Sequence, residues 1–229
     1  MNSELADRLA AVRRRVDAAA SNCGREPAAI ALISVGKTFE AQVVNAAVEA
    51  GATDLGENRV QEAVAKKPGV AGARWHLIGP LQRNKARAAL EVFDVVHTID
   101  RFEIADRLQY LLTEHWPERL LEVLLEINVA VEAQKAGAFP EDAGELLEHV
   151  LGCDRLLVRG LMAIPPWEED PEASRPWFQK LRELRDRLEN ETGHPLPELS
   201  MGMSHDFEIA IAEGATMVRV GTAIFGPRG

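Results

Sequence analysis

From end to end the chain alternates short apolar runs with longer stretches of helical spacing, and this rhythm limits the folds open to it. The runs fall near 30–35, 53–55, 74–78, 94–98, 121–129, 156–164, 198–201 and 216–220. Between them apolar residues recur every three to four positions, as Trp177, Leu181, Leu184 and Leu188 do. Buried strands separated by helices must lie parallel, because each return to the same end of the sheet needs a crossover. Eight such steps in 229 residues predict a single (β/α)8 TIM barrel spanning 1–229. The alternative, a doubly wound open sheet, predicts a glycine-rich GxGxxG turn after the first strand, and none stands there.

Local signals agree with the barrel. Leu5, Leu9, Val12 and Val16 form one face of an extra N-terminal helix. The chain stops shortly after the last strand, so this helix is expected to cover the place of the missing eighth helix. EAGATDLGEN and AEGATMVRVG echo one another, each with a glycine, Gly51 or Gly214, that ends a helix before a strand. The loops 163–171 and 193–197 read as connections, and no second β-domain is expected.

Composition narrows the function. A net charge of -10 repels phosphate backbones and anionic lipid, so nucleic acid and membrane surfaces are not expected partners. Arg13, Arg14 and Arg15, and the Arg83, Lys85, Arg87 group, read as solvated helix surface. No run approaches a membrane span and the N-terminus lacks an apolar leader core, which predicts a cytoplasmic protein. Cys23 and Cys153 have neither disulfide-scaffold nor zinc-like spacing and read as reduced thiols. No metal site is expected, since His76, His97 and His205 come from separate segments without ligand spacing.

The chemistry centres on Gly36-Lys37-Thr38, at the end of the first apolar run. A P-loop would need a glycine at position 31, where Ala31 stands inside the strand, so that reading fails. At the mouth of a barrel Lys37 is either a solvated strand-end charge or a desolvated amine able to attack a carbonyl. At the other end of the chain LSMGMSHDFEIAIAEG runs through a turn into a helix, with Ser204 placed as N-cap and Asp206 and Glu208 in the first turn. Gly221 and Thr222 follow the eighth strand directly, and such loops bind phosphate in many barrels. Closure would bring strand one beside strand eight. An amine and a phosphate cradle would then share one mouth, which suits a cofactor carrying an aldehyde and a phosphate on one ring. Arg219, inside the last strand, could donate to a ring nitrogen without giving up a proton.

Ordered blocks carry a specific resemblance: VGKT at Lys37, GENRVQE, WHLIGPLQRNK, HTID, RGLMAIPP, SMGMSHDFEIAI and MVRVGTAIFGPR. Nearly the whole chain resembles the pyridoxal phosphate homeostasis proteins, also called proline synthetase co-transcribed homologues. These are similar to the barrel domain of fold-type III pyridoxal 5'-phosphate (PLP) enzymes such as alanine racemase. The resemblance implies that Lys37 forms the internal aldimine with PLP. It also implies that Ser204, Gly221 and Thr222 hold the phosphate, that Arg219 faces the pyridine nitrogen, and that Asn58 and Met203 line the cofactor. His76 is a weaker candidate, with a hydrogen-bonded structural role as its alternative. The chain departs from the family pattern at Gly36, at Arg59 and within 132–137.

The implied function is intracellular PLP homeostasis without strong turnover, with PLP-dependent apo-enzymes as conceivable recipients. The alternatives are an amino-acid racemase or lyase and a cofactor-free aldolase. Racemisation needs a second base, and the sole tyrosine, Tyr110, falls in a helical segment. Low aromatic content (5%) and the lack of a second domain point to a monomer.

Overall fold

The computed structural model describes residues 2–227. Met1, Gly229 and Arg228, which ends the last of the blocks quoted above, lie outside the described residues. All eight expected strands form, and they close into one parallel barrel in sequence order. They are β1 (Ala31–Val35), β2 (Asp54–Glu57), β3 (Arg74–Leu77), β4 (Val95–Ile99), β5 (Leu121–Glu126), β6 (Leu156–Met162), β7 (Glu198–Met203) and β8 (Met217–Val220). β2 and β7 run two residues further than their apolar runs, because Gly56-Glu57 and Gly202-Met203 continue the backbone ladder without continuing the apolar pattern. β1 pairs with β2 on one side and with β8 on the other, Ile33 opposite Arg219 and Ser34 opposite Val220, and this last pairing closes the sheet.

Helices α1 (Asn2–Asn22), α2 (Ala41–Glu49), α3 (Val60–Lys66), α4 (Ala86–Val92), α5 (Phe102–His115), α6 (Ala143–Leu151), α7 (Arg175–Thr192), α8 (Phe207–Ala212) and the single turn α9 (Thr222–Phe225) surround the barrel. α1 takes the place that a full eighth helix would fill. Leu5, Leu9, Val12 and Val16 are all buried, as their spacing predicts, and α1 packs on α8, α9 and α2. Polar latches fix it: Arg8 Nε donates to the Ile224 carbonyl at 2.7 Å, and Arg25 donates to the carbonyls of Ile211 and Ala215 at 2.9 and 2.7 Å. Gly51 and Gly214 take φ of 104° and 103°, and Ala52 and Ala215 each donate back five residues, so the two echoed segments do end helices identically.

Strand alternation divides the apolar residues into two clusters. The larger lies between the strands and the helices. The smaller, Ile33, Val95, Leu124, Met162 and Met217, fills part of the barrel interior. Beside it the interior is polar, with His76, His97, Ser200 and Arg219 all buried. Glu126, at the end of β5, is buried too, and its Oε2 has no hydrogen-bond partner. Burial and then Asp100 push its carboxyl up to about 7, against the pull of Arg219 and Arg101.

Two outcomes are expected. Leu9→Ala should cost roughly 2–4 kcal/mol, read as a lower urea midpoint at unchanged slope, because it opens a void beneath α1. Glu126 is protonated more readily folded than unfolded, so its contribution to stability falls as pH rises from about 4.5 to about 7. The unfolding free energy of Glu126→Gln relative to wild type should therefore climb across that window, by up to about 3 kcal/mol. A flat difference would show that Glu126 does not titrate there.

Candidate functional site

At the C-terminal mouth of the barrel a cleft of about 420 Å3 is lined by Lys37, Asn58, Met203, Ser204, Arg219, Gly221 and Thr222, together with Val35, Ile78, Ile164, Trp167 and His205. All seven residues singled out in the sequence therefore meet in one cavity. A larger groove of about 550 Å3 lies beside it, over α3 and the β3–α4 loop, and shares only Asn58. The cleft is the better candidate because amine, buried cation and hydroxyl groups converge there.

Lys37 lies two residues past β1 in a turn that is held from below, and its side chain is half-buried. The Gly36 N–H donates to the Gly56 carbonyl at 3.1 Å, and the Gly36 carbonyl accepts from Lys66 Nζ at 2.9 Å. Lys66 is itself buried and paired with Glu57 at 2.5 Å. Burial raises the Glu57 carboxyl while Lys66 pulls it down. On the other side of Lys37 the Thr38 N–H donates to Glu62 Oε2 at 3.0 Å, with Thr38 at φ 71°. A β-branched residue in the left-handed region is strained and persists only where its surroundings over-determine it. Glu57, Glu62 and Lys66 thus fix the turn that presents Lys37. Sequence reading missed them: both acids lie in GENRVQE, but an ion pair spanning nine residues leaves no spacing signal.

Across the cleft, Ser204 Oγ accepts from the Gly221 N–H and meets Thr222 Oγ1, both at 3.3 Å. Ser204 is not the N-cap of α8. Asp206 occupies that position, outside the first turn, and its Oδ1 accepts from the Met203 N–H at 2.7 Å. The carboxylate of Asp206 closes the turn, which leaves the Ser204 hydroxyl to face Gly221. Gly202, at φ 90°, is required here, since a Cβ would lie 2.6 Å from that of Ala210.

Arg219 is buried, with Nη1 donating to Ser200 Oγ at 2.6 Å and Nη2 to the Ala163 carbonyl at 2.8 Å. Both partners are neutral, and among the described ion pairs none involves Arg219. Burial lowers its pKa to about 10, against Glu126 and Asp206, so it stays cationic at neutral pH. A buried guanidinium facing a cleft in this way suits an acceptor atom or an anion on a ligand.

His76 does not line the cleft. It is fully buried inside the barrel, with Nε2 2.9 Å from Asp54 Oδ1 and Nδ1 2.9 Å from His97 Nε2, which is the structural alternative the sequence left open. Although His76 and His97 come from separate segments, they meet. Elsewhere Asp106, His149 and Cys153 bring ligand-type atoms within 4.8 Å of one another across α5 and α6. His149 bonds Asp106 at 2.7 Å and burial keeps the Cys153 thiol protonated, so polar helix contacts account for the group. Sequence reading also treated 163–171 as a plain connection, yet Trp167 there is 72% exposed on the cleft rim and stacks on His205. Two departures are explained. At Gly36 a Cβ would lie 2.8 Å from Val44 Cγ2, and Arg59 is an exposed partner of Glu62.

No described helix is long and apolar enough to cross a membrane. The alanine racemase N-terminal domain family matches residues 8–229. A protein of Pseudomonas aeruginosa named pyridoxal phosphate homeostasis protein is 46% identical over 99% of this chain and 96% of its own. One of the same name from Aquifex aeolicus is 42% identical over 97% of each. Among solved structures, PipY of Synechococcus elongatus with PLP bound is 36% identical, with a TM-score of 0.84 over 97% of this chain and 100% of that one. Alanine racemase of Clostridium difficile, 14% identical with a TM-score of 0.74, shares the fold over 59% of its length. Lys37 and the loops after β7 and β8 thus sit on a barrel of known lineage, and the chain belongs to the pyridoxal phosphate homeostasis protein family.

Proposed function

We propose that this chain binds pyridoxal 5'-phosphate in the cleft, as an internal aldimine on Lys37, and serves intracellular PLP homeostasis without strong turnover. The observation that carries the reading is the convergence, in one cavity, of a held lysine, a buried cation with neutral partners, and a hydroxyl and N–H cluster. The aldehyde carbon would bond to Lys37 Nζ and its oxygen leave as water. Ser204, Gly221 and Thr222 would take the phosphate, Arg219 the ring nitrogen, and Asn58 and Met203 would line the cofactor. The structure of PipY with PLP bound supports the choice of cofactor.

Bound PLP supplies an electron sink, and this protein's own residues weaken it. Arg219 donates a hydrogen bond but keeps its proton, so a ring nitrogen beside it stays unprotonated. No tyrosine serves as a second base: Tyr110, the one tyrosine, is 55% exposed on α5 and not in the cleft, and the His205 on the rim has its Nε2 on the Glu169 carbonyl at 3.1 Å. A racemase or lyase fits these residues less well than a carrier does. A monomeric, cytoplasmic carrier that passes PLP to apo-enzymes completes the proposal.

The purified wild type is expected to be yellow with PLP, to bleach with borohydride and to retain the cofactor covalently, whereas Lys37→Ala should lack the band. A wild type that stays colourless after incubation with PLP would sink the assignment in favour of a cofactor-free aldolase. Lys66→Met should lose about 3–5 kcal/mol by stranding Glu57. Glu57→Gln added to it should recover part of that stability but not the visible band, because the Gly36 carbonyl remains unheld. Full recovery of the band would show that the clamp does not position Lys37.

A further inference from the structure

Four hydrogen bonds join five side chains in a line through the barrel. Arg219 Nη1 donates to Ser200 Oγ at 2.6 Å, and Ser200 Oγ lies 2.9 Å from His97 Nδ1. His97 Nε2 is 2.9 Å from His76 Nδ1, and His76 Nε2 is 2.9 Å from Asp54 Oδ1. The three central side chains are 0% exposed. Arg219 faces the cleft, whereas Asp54, the first residue of β2, does not line it.

The two ends fix the direction of the line. A guanidinium can only donate and a carboxylate can only accept. Burial works against the Asp54 charge, but the hydrogen bonds from His76 and Thr53 outweigh it and hold this carboxyl below the usual range. Burial above all, with the Arg219 charge adding to it, holds His97 well below the ordinary imidazole range, so it is neutral and carries one ring proton. With that proton on Nε2, every bond has one donor and one acceptor: Arg219 to Ser200, Ser200 to His97, His97 to His76, His76 to Asp54. With it on Nδ1, His76 must be an imidazolium, and the Ser200 hydroxyl proton has no acceptor in the structure. A buried donor without a partner is costly, so the first arrangement wins.

We propose that Asp54, His76, His97 and Ser200 act as one positioning unit, a one-way hydrogen-bonded chain through the barrel that locks the Arg219 guanidinium in the orientation it presents to the cleft. The orientation of Arg219 is a property of this protein alone; only its meeting a PLP ring nitrogen rests on the cofactor reading above. None of the four touches the cleft, and each acts through Arg219.

The test begins without cofactor. In long-range nitrogen–proton NMR spectra, His97 and His76 should both carry a proton on Nε2 and a bare Nδ1, and the Nη protons of Arg219 should give separate resonances because rotation of the guanidinium is blocked. Ser200→Ala, a small change in volume, leaves Nη2 on the Ala163 carbonyl but should merge the resonances of the two Nη1 protons and shift His97 Nδ1. Asp54→Asn, isosteric and outside the cleft lining, should shift the His97 nitrogens as well. A His97 protonated on Nδ1, or Nη1 resonances unchanged in Ser200→Ala, would overturn the proposal. With PLP added, Ser200→Ala should bind roughly tenfold or more weakly than wild type. Equal binding by a well-folded variant counts against the unit. If wild type itself gives no visible band, the cofactor reading fails, while the cofactor-free spectra still decide the chain.

Discussion

The parallel ladder between β1 and β8 is the constraint on which everything else depends. It pairs residues nearly the whole chain apart, Ile33 with Arg219 and Ser34 with Val220, and so carries Lys37 to the loop that holds Gly221 and Thr222. Without closure the lysine would sit at an open sheet edge, and the hydroxyl and N–H cluster would have nothing to face. α1 secures the joint from outside, where the turn α9 is too short to cover the apolar outer face of β1 and β8.

The interior is polar for the same reason. A barrel of eight strands must fill its core with inward side chains. In this one part of the filling is apolar, and beside it stand histidines, a serine and an arginine that satisfy one another. Such a network fixes one arrangement as long as every member has a partner. The loops above follow a similar logic: Lys66 with Glu57, and Glu62 with Thr38, replace the flexibility of a loop with hydrogen bonds to its backbone.

Fold and site were legible to different depths. The strands declare themselves because both faces are buried, which makes short apolar runs, and the ends of β2 and β7 escape because glycines and a buried glutamate take over there. The seven residues marked from the sequence all line the cleft: Lys37, Ser204, Gly221 and Thr222 were marked from their place after strands, Arg219 as a cation inside one, and Asn58 and Met203 from resemblance alone. Ser204 was given the wrong local role because Asp206, two residues on, is an equally good cap by residue type. The Lys66 clamp and the histidine pair could not be read, since each joins segments whose meeting depends on the closed barrel. A partial signal for the pair existed, namely inward-facing positions on the adjacent strands β3 and β4.

One consequence of the closing ladder concerns the order of events in a cell. Lys37 leaves the ribosome well before Arg219, Gly221 and Thr222 do. Until they do, β1 and β7 are unpaired edges and half of the cleft wall does not exist. The early lysine is then one solvated amine among many, with nothing to distinguish it. The site is therefore assembled only once β8 has been made and paired, and until then nothing selects this lysine over the others.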